Sequence, residues 1–306
     1  MGLFSRRVPR IDVANAVVVI TGGARGIGAA TAAEFARQGA TVWIGDVDTD
    51  VASATAATLT GASAATLDVT DPASWATFVD KVIAESGRID VLINNAGVMP
   101  VGPFEAEADS ITKLILDVNV AGVLNGMRAV LPVMLAEGRG HIVNVASMAG
   151  MLPLPGMVSY NASKYAALGA SLAARHEYAD AGVAVCAILP AAVRTELSSG
   201  ADLGGTLPTV DPEDVARAVV KTLRTQAART SVPGWVAPLW ALTDLFVPEF
   251  IERIGRRFAG DRQALALDPV ERRDYLARVD RHAAEHKVEP PKSVGAKGSR
   301  RKVAAK

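Results

Sequence analysis

The stretch "VVVITGGARGIGAATAAEFARQGA" (residues 17–40) decides the fold of this chain. A β-branched apolar run leads into a glycine-rich turn, and an alanine-rich segment that favours a helix follows. Gly22, Gly26 and Gly28 are spaced G-x-x-x-G-x-G, which departs from the general G-x-G-x-x-G pattern. The physical effect is the same, because glycines allow a sharp turn and a close approach of the backbone to a pyrophosphate at a helix N-terminus. We therefore predict a phosphate-binding turn between a strand and a helix.

Short apolar runs alternate with longer helical segments up to about residue 232. The strand-like runs are rich in β-branched residues, as expected of strands that are buried on both faces. We predict strands at 16–20, 41–45, 64–69, 91–95, 141–147 and 183–189, and helices near 26–38, 72–86, 108–137 and 159–181. This alternation predicts an α/β fold, with a single Rossmann-type doubly wound parallel sheet and helices on both faces.

The sequence divides into four parts of different character. We expect an N-terminal extension (1–13), a Rossmann-fold catalytic domain (14–235), a C-terminal helical extension (236–286) and a basic tail (287–306). The tail has seven Lys or Arg and one Glu, and it lacks apolar periodicity, so we expect it to be disordered. The first twelve residues, "MGLFSRRVPRID", contain no apolar signal region, so we expect a cytoplasmic protein.

Composition narrows the class of protein further. The formal net charge is zero, which gives no electrostatic preference for nucleic acid. A single cysteine, Cys186, excludes an intramolecular disulfide and fits a reducing compartment. "HAAEH" (282–286) matches a zinc-site pattern, but its surroundings are charged on all sides, so we interpret it as a solvated helix and predict no metal site.

The second predicted strand, "TVWIGD", ends at Asp46, near the expected distance from the glycine turn for a ribose-binding acid. A carboxylate at this position accepts hydrogen bonds from the ribose hydroxyls of NAD and repels the 2′-phosphate of NADP. Arg25 carries the competing signal, since its charge would neutralise that phosphate. We favour NAD because Asp46 would act at shorter range.

Polar residues also follow the later predicted strands and occur within the later predicted helices. "NNAG" (94–97) follows the fourth strand, Asn119 stands among apolar residues in "LDVNVAG", and Ser147 follows the fifth strand. Tyr160 and Lys164 in "YNASK" are four residues apart, and so share one face of a helix. An ammonium beside a phenol has the right sign to lower the phenol's pKa, which a general base near neutral pH requires.

With "TGGARGIG" (21–28), "LDV" (67–69), "NNAG", Asn119, Ser147 and "YNASK" in this order, residues 14–235 resemble the short-chain dehydrogenase/reductase family. The resemblance implies that Tyr160 is the general acid/base and that Lys164 binds the nicotinamide ribose and lowers the Tyr160 pKa. Ser147 would then bind the substrate oxygen, and Asn119 would hold a water in a proton relay. The implied cofactor-binding residues are Gly22, Arg25, Gly26, Ile27, Gly28, Asp46, Asp68, Val69, Asn95, Ala96, Gly97, Tyr160, Lys164, Pro190, Val193 and Thr195.

The sequence departs from the family after the sixth strand, where Ala191 follows Pro190 and the family usually has glycine. Alanine cannot easily adopt the positive φ that is open to glycine. Substrate-contacting residues are expected near 148–158, 190–205 and 231–260. Two of these segments, "MAGMLPLPGMV" and "PLWALTDLFVPEF", are rich in Met, Leu and aromatic residues, so they indicate either an apolar pocket or further core and interface.

The leading prediction is therefore an NAD(H)-dependent oxidoreductase that interconverts an alcohol and a ketone or aldehyde on an apolar small molecule. An NADPH-dependent ketoacyl-type reductase is the alternative, and a non-catalytic NAD-binding regulator is a remote one. The resemblance implies a homodimer or homotetramer formed through the helices near 108–137 and 159–181. Peripheral contact of Trp235, Trp240, Leu245 and Phe246 with a membrane is a less favoured possibility.

Overall fold

The structure of the protein is a computed structural model, and it describes residues 8–199, 208–246 and 272–285. Seven parallel strands form the central sheet, in the order β3-β2-β1-β4-β5-β6-β9. These strands are β1 Val17–Thr21, β2 Thr41–Asp46, β3 Ala62–Thr66, β4 Val91–Asn94, β5 Gly140–Val145, β6 Val183–Pro190 and β9 Arg229–Val232. Strand order reverses between β1 and β4, and such a switch point opens a crevice at the carboxyl ends of the strands.

The described helices cover both faces of this sheet or extend from its edge. They are α1 Gly26–Arg37, α2 Thr49–Ala57, α3 Pro72–Ser86, α4 Asp109–Leu116, α5 Gly122–Ala136, α6 Val158–Tyr178, α7 Pro212–Thr225, α8 Val236–Phe246 and α9 Arg273–Glu285. Short strands β7 Ala192–Val193 and β8 Thr209–Val210 pair with each other, apart from the main sheet.

Alternation along the strands builds two separate cores. Val18 and Ile20 of β1 belong to the core that includes Phe35 of α1 and Val219 of α7. The intervening β1 residues Val17 and Val19 belong to the opposite core, with residues of α3 and α5. Successive strand side chains point to opposite faces, so a continuous apolar run is what a sheet covered on both sides needs. The predicted doubly wound α/β fold is confirmed.

Local differences from the sequence prediction fall where the apolar signal is weak. β3 occupies Ala62–Thr66 rather than 64–69, because "ASAAT" is a half-exposed edge strand and Leu67 to Val69 belong to the loop that follows. The sequence prediction did not include α2 or β9, which are short and rich in Ala, Thr and Ser.

The predicted helix over 108–137 consists of α4 and α5, joined by a π-helical turn at Asp117–Ala121. Within the described residues, Asp109–Ala136 is the one helical stretch long and apolar enough to cross a membrane by length and composition, and 50% of its most apolar window is buried. Val130 and Met134 are fully buried in the core of one sheet face, so packing accounts for much of the apolar character.

The C-terminal extension contributes two described helices with different partners. α8 packs beside β9, with Val236 and Ala237 buried. α9 packs against α4, where Tyr275 and Val279 are buried with Leu114. The predicted basic tail (287–306) and most of the N-terminal extension lie outside the described residues.

Candidate active site

A cavity of about 320 Å³ opens at the carboxyl ends of the central strands. Its size is within the range of small-molecule sites, about 300–1,000 Å³. All the site residues predicted from the sequence line it, except Gly28 and Asn119. The fold therefore brings together residues that are up to 173 positions apart, from Gly22 to Thr195.

The glycine turn forms a cradle with no room for side chains. Gly22 has φ +63°, and a Cβ there would lie 2.7 Å from the Ala96 Cα. A Cβ on Gly28 would lie 2.1 Å from the Gly22 carbonyl oxygen, so Gly28 closes the turn onto helix α1 from behind the cavity. The backbone and the N-terminus of α1 are thus exposed to the cavity, and this arrangement fits a pyrophosphate group.

Thr21 and Asn95 hold that cradle in place. The Thr21 Oγ1 accepts hydrogen bonds from the backbone amides of Asn95 and Ala96, each at 3.0 Å. The Asn95 Nδ2 donates to the carbonyl oxygens of Thr21 (3.0 Å) and Gly22 (2.9 Å). Sequence reasoning placed Asn95 beside the ribose and overlooked Thr21. The only available signal was a polar residue at the end of an otherwise apolar strand.

Asp46 and its neighbours form the corner where an adenosine ribose is expected. The Asp46 carboxylate accepts from the amides of Ala24 and Asp48, both at 3.0 Å, which fixes its position at the end of β2. The Arg25 guanidinium pairs with Asp48 at 2.5 Å. Burial alone would raise the pKa of Asp48, but the hydrogen bond and charge of Arg25 outweigh burial and lower that pKa, with smaller contributions from Arg278 and His282.

Asp68 and Val69 lie on the side of the cavity where the resemblance implies adenine binding. The Asp68 carboxylate accepts from the amide (2.9 Å) and the hydroxyl (2.8 Å) of Thr70, which shapes the loop after β3. Val69 packs closely on Gly122, where a Cβ would lie 2.7 Å from the valine side chain.

Ser147, Tyr160 and Lys164 meet at the cavity. β5 ends at Val145, which places Ser147 just beyond the sheet edge, and α6 presents Tyr160 and Lys164 on one face. Ser147 is a neighbour of Tyr160, and its Oγ accepts a hydrogen bond from the Ala149 amide at 3.1 Å. The Lys164 Nζ donates to the Val145 carbonyl oxygen at 3.1 Å and lies 5.6 Å from the Tyr160 ring centroid.

Burial is the largest cause of the pKa shifts of Tyr160 and Lys164. It raises the pKa of Tyr160 well above its usual value, although the hydrogen bond with Ser147 opposes the change. It also lowers the pKa of Lys164 to about 8. The resemblance implied a lowered Tyr160 pKa, whereas burial acts in the opposite direction, because a buried phenolate loses its hydration.

Asn119 does not reach the cavity. Its side chain is fully buried, with Oδ1 accepting from the Val98 amide and Nδ2 donating to the Val98 carbonyl oxygen, both at 2.9 Å. Nδ2 also donates to the Ser163 hydroxyl at 3.0 Å. Both amide hydrogens are therefore engaged, and the side chain fixes the loop after β4 instead of presenting a free donor to the cavity.

The loop after β6 completes the predicted cofactor side of the cavity with Pro190, Val193 and Thr195. Ala191 does not need a positive φ, since Gln226 is the only non-glycine residue with positive φ in the described ranges. Instead the loop continues as β7, which pairs with β8. Thr195 faces the glycine turn, and a Cβ on Gly26 would lie 3.3 Å from its methyl group.

The expected substrate segments are only partly at the cavity. Residues from 148–157 and 190–198 line it, whereas the described part of 231–260 does not. α8 packs beside β9, and Trp235, Leu239 and Leu242 are more than half exposed. The remaining wall comes from α9, which supplies Tyr275, Arg278, Val279 and His282. The charged sequence of this helix gave no sign of that position.

The "HAAEH" pattern is not part of a metal cluster in the residues the structure describes, where no group of three or more His, Cys, Asp or Glu is placed to hold an ion. His282 lines the cavity instead. His286 lies outside the described residues.

A doubly wound sheet with a glycine cradle, a half-buried Ser147 and buried Tyr160 and Lys164 defines the class of dinucleotide-binding oxidoreductases. A model of the short chain dehydrogenase family matches residues 16–203. The chain belongs to this family and is an oxidoreductase that acts on CH–OH groups.

Individual relatives agree with this assignment. The chain is 37% identical over 191 residues to a 2,5-dichloro-2,5-cyclohexadiene-1,4-diol dehydrogenase of Sphingobium indicum, covering 61% of this chain and 76% of the relative. It is 37% identical over 183 residues to a 3-alpha-(or 20-beta)-hydroxysteroid dehydrogenase of Mycobacterium tuberculosis, covering 60% and 70%. A short chain dehydrogenase/reductase of Burkholderia phymatum, solved in complex with NAD, superposes with a TM-score of 0.69 at 26% identity, covering 76% and 94% of the two chains.

Proposed function

We propose that this enzyme oxidises an apolar secondary alcohol, or reduces the corresponding ketone, with NAD(H), using Ser147, Tyr160 and Lys164. One observation carries the proposal: Ser147, Tyr160 and Lys164 line the same cavity as the glycine cradle and Asp46. A substrate oxygen between the two hydroxyls would lie beside the position expected for a nicotinamide, near Pro190 and Val193.

Each side chain has a separate task. The cofactor, when bound, supplies or accepts the hydride. Tyr160 holds the proton that the substrate oxygen gains or loses, and its raised pKa keeps it a phenol, the form that a ketone reduction needs. Ser147 orients the substrate oxygen. Lys164, fixed by the Val145 carbonyl oxygen, favours the phenolate in the oxidative direction when it is charged.

NAD is the proposed cofactor because of the charges at the ribose corner. Asp46 is fixed there by two backbone amides, and Asp48 lies next to it. Arg25, the residue that would favour a 2′-phosphate, is already paired with Asp48 and lies 4.0 Å from Glu196. A phosphate at this corner would have to displace an existing ion pair and approach two carboxylates.

The proposed substrate is an apolar cyclic alcohol or ketone. Met148, Leu154, Met157 and Leu197 line the cavity near Tyr160, and none of them is charged. The dehydrogenases for a cyclohexadiene diol and a hydroxysteroid, to which this chain is similar, are named for ring alcohols. Both observations support a ring substrate.

We also propose that the enzyme is a cytoplasmic homo-oligomer. Large apolar side chains are exposed on the helices predicted as the interface, namely Leu116, Leu135, Val158 and Tyr165. Exposed apolar side chains on two neighbouring helices suit a symmetric contact between copies. Cys186 is a buried free thiol, which is compatible with the cytoplasm. Sedimentation analysis of the purified protein tests the oligomer, and a monomer at micromolar concentration would contradict it.

A screen of cyclic alcohols and ketones with NAD(H) and NADP(H), followed by nicotinamide absorbance, tests the proposed reaction. We expect turnover with NAD(H). Tyr160→Phe should lower kcat at least about 100-fold, the usual contribution of a general acid or base, and should leave NADH binding intact. Tyr178→Phe, at the far end of α6, is the matched control and should have no effect. Near-normal turnover by Tyr160→Phe would remove that residue from its proposed role.

Asp46→Ala tests the cofactor assignment. Without this carboxylate, NAD loses a ribose acceptor and the 2′-phosphate of NADP meets less repulsion, so the ratio of kcat/KM for NAD to that for NADP should fall about 10-fold or more. An unchanged ratio would show that another residue sets the preference.

A further inference from the structure

Helix α9 closes the active-site cavity from outside the sheet. Tyr275, Arg278, Val279 and His282 line the same cavity as Tyr160 and Lys164. They belong to the same chain as the catalytic group, although more than 100 residues separate Tyr275 from Tyr160.

Arg272 anchors the start of α9. It is 1% exposed, and its guanidinium donates to the carbonyl oxygens of Met99 (2.9 Å), Ser199 (3.0 Å) and Leu197 (3.4 Å). One buried side chain therefore joins the helix to the loop after β4 and to the loop after β7. Both loops line the cavity, so the anchor fixes α9 relative to the catalytic group.

Tyr275 is held in one orientation at the cavity. Its ring packs with Leu114 and Val279, and the Arg272 guanidinium lies 4.9 Å from the ring centroid. Its hydroxyl oxygen accepts a hydrogen bond from the Met99 amide at 2.6 Å. The side chain is 95% buried, and its O–H has no acceptor among the residues that the structure describes.

Tyr275 also lies close to the catalytic tyrosine. Burial raises the pKa of Tyr275 to about 12, so it remains a neutral donor at physiological pH. The pKa of Tyr160, raised mainly by burial, would rise further if Tyr275 ionised. The cavity thus contains two buried phenols.

A salt bridge attaches the middle of the helix. Arg278 pairs with Glu196 at 2.5 Å, and Glu196 lies 4.0 Å from Arg25 of the glycine turn. This second attachment connects α9 to the cofactor side of the cleft, whereas Arg272 connects it to the substrate side.

We propose that α9 is the outer wall of the substrate pocket and that the Tyr275 hydroxyl donates a hydrogen bond to a second oxygen of the substrate. This inference rests on the proposed function and makes it more specific. The substrate class is then a cyclic compound with two oxygen functions, one at Tyr160 and Ser147 and the other at Tyr275. A buried donor discriminates strongly against a ligand that lacks its acceptor, because the donor is then left unpaired.

Two ring ketones test this assignment: cyclohexanone and cyclohexane-1,4-dione, each reduced with NADH. Tyr275→Phe should lower kcat/KM for the dione about 10-fold more than for the monoketone, and Tyr178→Phe should leave the ratio unchanged. A general structural defect would lower both values together. An unaltered ratio in Tyr275→Phe would overturn the proposed contact.

Hydrogen exchange gives a readout that does not need turnover. In wild-type protein with NAD and the dione, which cannot react together, we expect slower amide exchange over residues 273–280 than with NAD alone. No change in exchange would contradict a substrate contact from α9, even if Tyr275→Phe failed to fold. If neither cofactor supports any ketone or alcohol turnover, the proposed function fails separately, and the exchange result still decides the role of α9.

Discussion

Lys164 shows at the scale of one residue how function and stability conflict. The residue is 6% exposed, and its ammonium donates to a backbone carbonyl rather than to a carboxylate. Burial lowers its pKa from 10.5 to about 8. At neutral pH the buried lysine is still protonated, and this lowers the free energy of unfolding by about 3 kcal/mol. The cavity beside Tyr160 explains why a cation is nevertheless retained there.

Lys164→Met should therefore stabilise the fold in a pH-dependent way. The unfolded chain keeps the lysine proton up to about pH 10.5, whereas the folded chain releases it near pH 8. The unfolded state binds more protons between these values, so wild-type stability rises with pH there and the advantage of the variant shrinks. Urea unfolding of both proteins at pH 7 and 9.5 measures the difference. A difference that is the same at both pH values would contradict the shifted pKa.

Residue-scale prediction worked best where a motif fixes the neighbours. Ser147, Tyr160 and Lys164 meet at the cavity because their positions follow from one strand end and one helix face. For Asn119 the motif gave the position but not the contacts. Its side-chain amide is hydrogen-bonded to Val98 and Ser163. The π-helical turn that places it there leaves no pattern in the sequence.

At the scale of the element, the turn between β1 and α1 depends on close packing of backbone on backbone. Gly28 touches the Gly22 carbonyl oxygen and the Asn95 amide so closely that a Cβ would lie 2.1 and 2.7 Å away. Neither group is the end of a flexible side chain with space to move, because Asn95 is itself bonded to the turn.

Gly28→Ala should therefore distort the cradle and lower NADH affinity by about 10-fold or more, since loop and helix must separate. Gly169→Ala is the matched control, because Gly169 lies within α6 with no atom near its Cβ position. That change should stabilise the protein by up to about 1 kcal/mol through helix propensity and leave binding unchanged. Equal NADH affinity in both variants, measured by fluorescence titration, would contradict the close-packing account.

At the scale of the whole molecule, α9 covers the crevice at the sheet edge and lines the outer side of the cavity. The sheet, its loops and helix α6 supply the glycine turn, Asp46 and the group of Ser147, Tyr160 and Lys164. The C-terminal extension then adds an anchor, Arg272, which bonds to three carbonyl groups on two loops. Trp235, Leu239 and Leu242, which are more than half exposed, lie outside the cavity.

Arg272→Lys tests whether one guanidinium fixes that wall. Lysine keeps the charge but loses the planar fork that reaches several carbonyl oxygens at once. We expect faster amide exchange over 273–285 and a several-fold higher KM for the ketone, with unchanged exchange in β1, β4 and β5. Arg273→Lys, the same change at an exposed neighbour, is the control. Unchanged exchange in α9 would show that other contacts hold the helix.

The sequence by itself determined the doubly wound sheet, because buried parallel strands require unbroken apolar runs and the glycine turn admits no side chains. Sequence motifs also gave residues from Gly22 to Thr195 that line one cavity, since the carboxyl ends of parallel strands meet at one edge. The raised pKa of Tyr160, the buried position of Asn119 and the place of α9 follow only from tertiary contacts. Those features depend on desolvation and on contacts between residues far apart in the chain, such as Arg272 with Met99, and local patterns do not encode them.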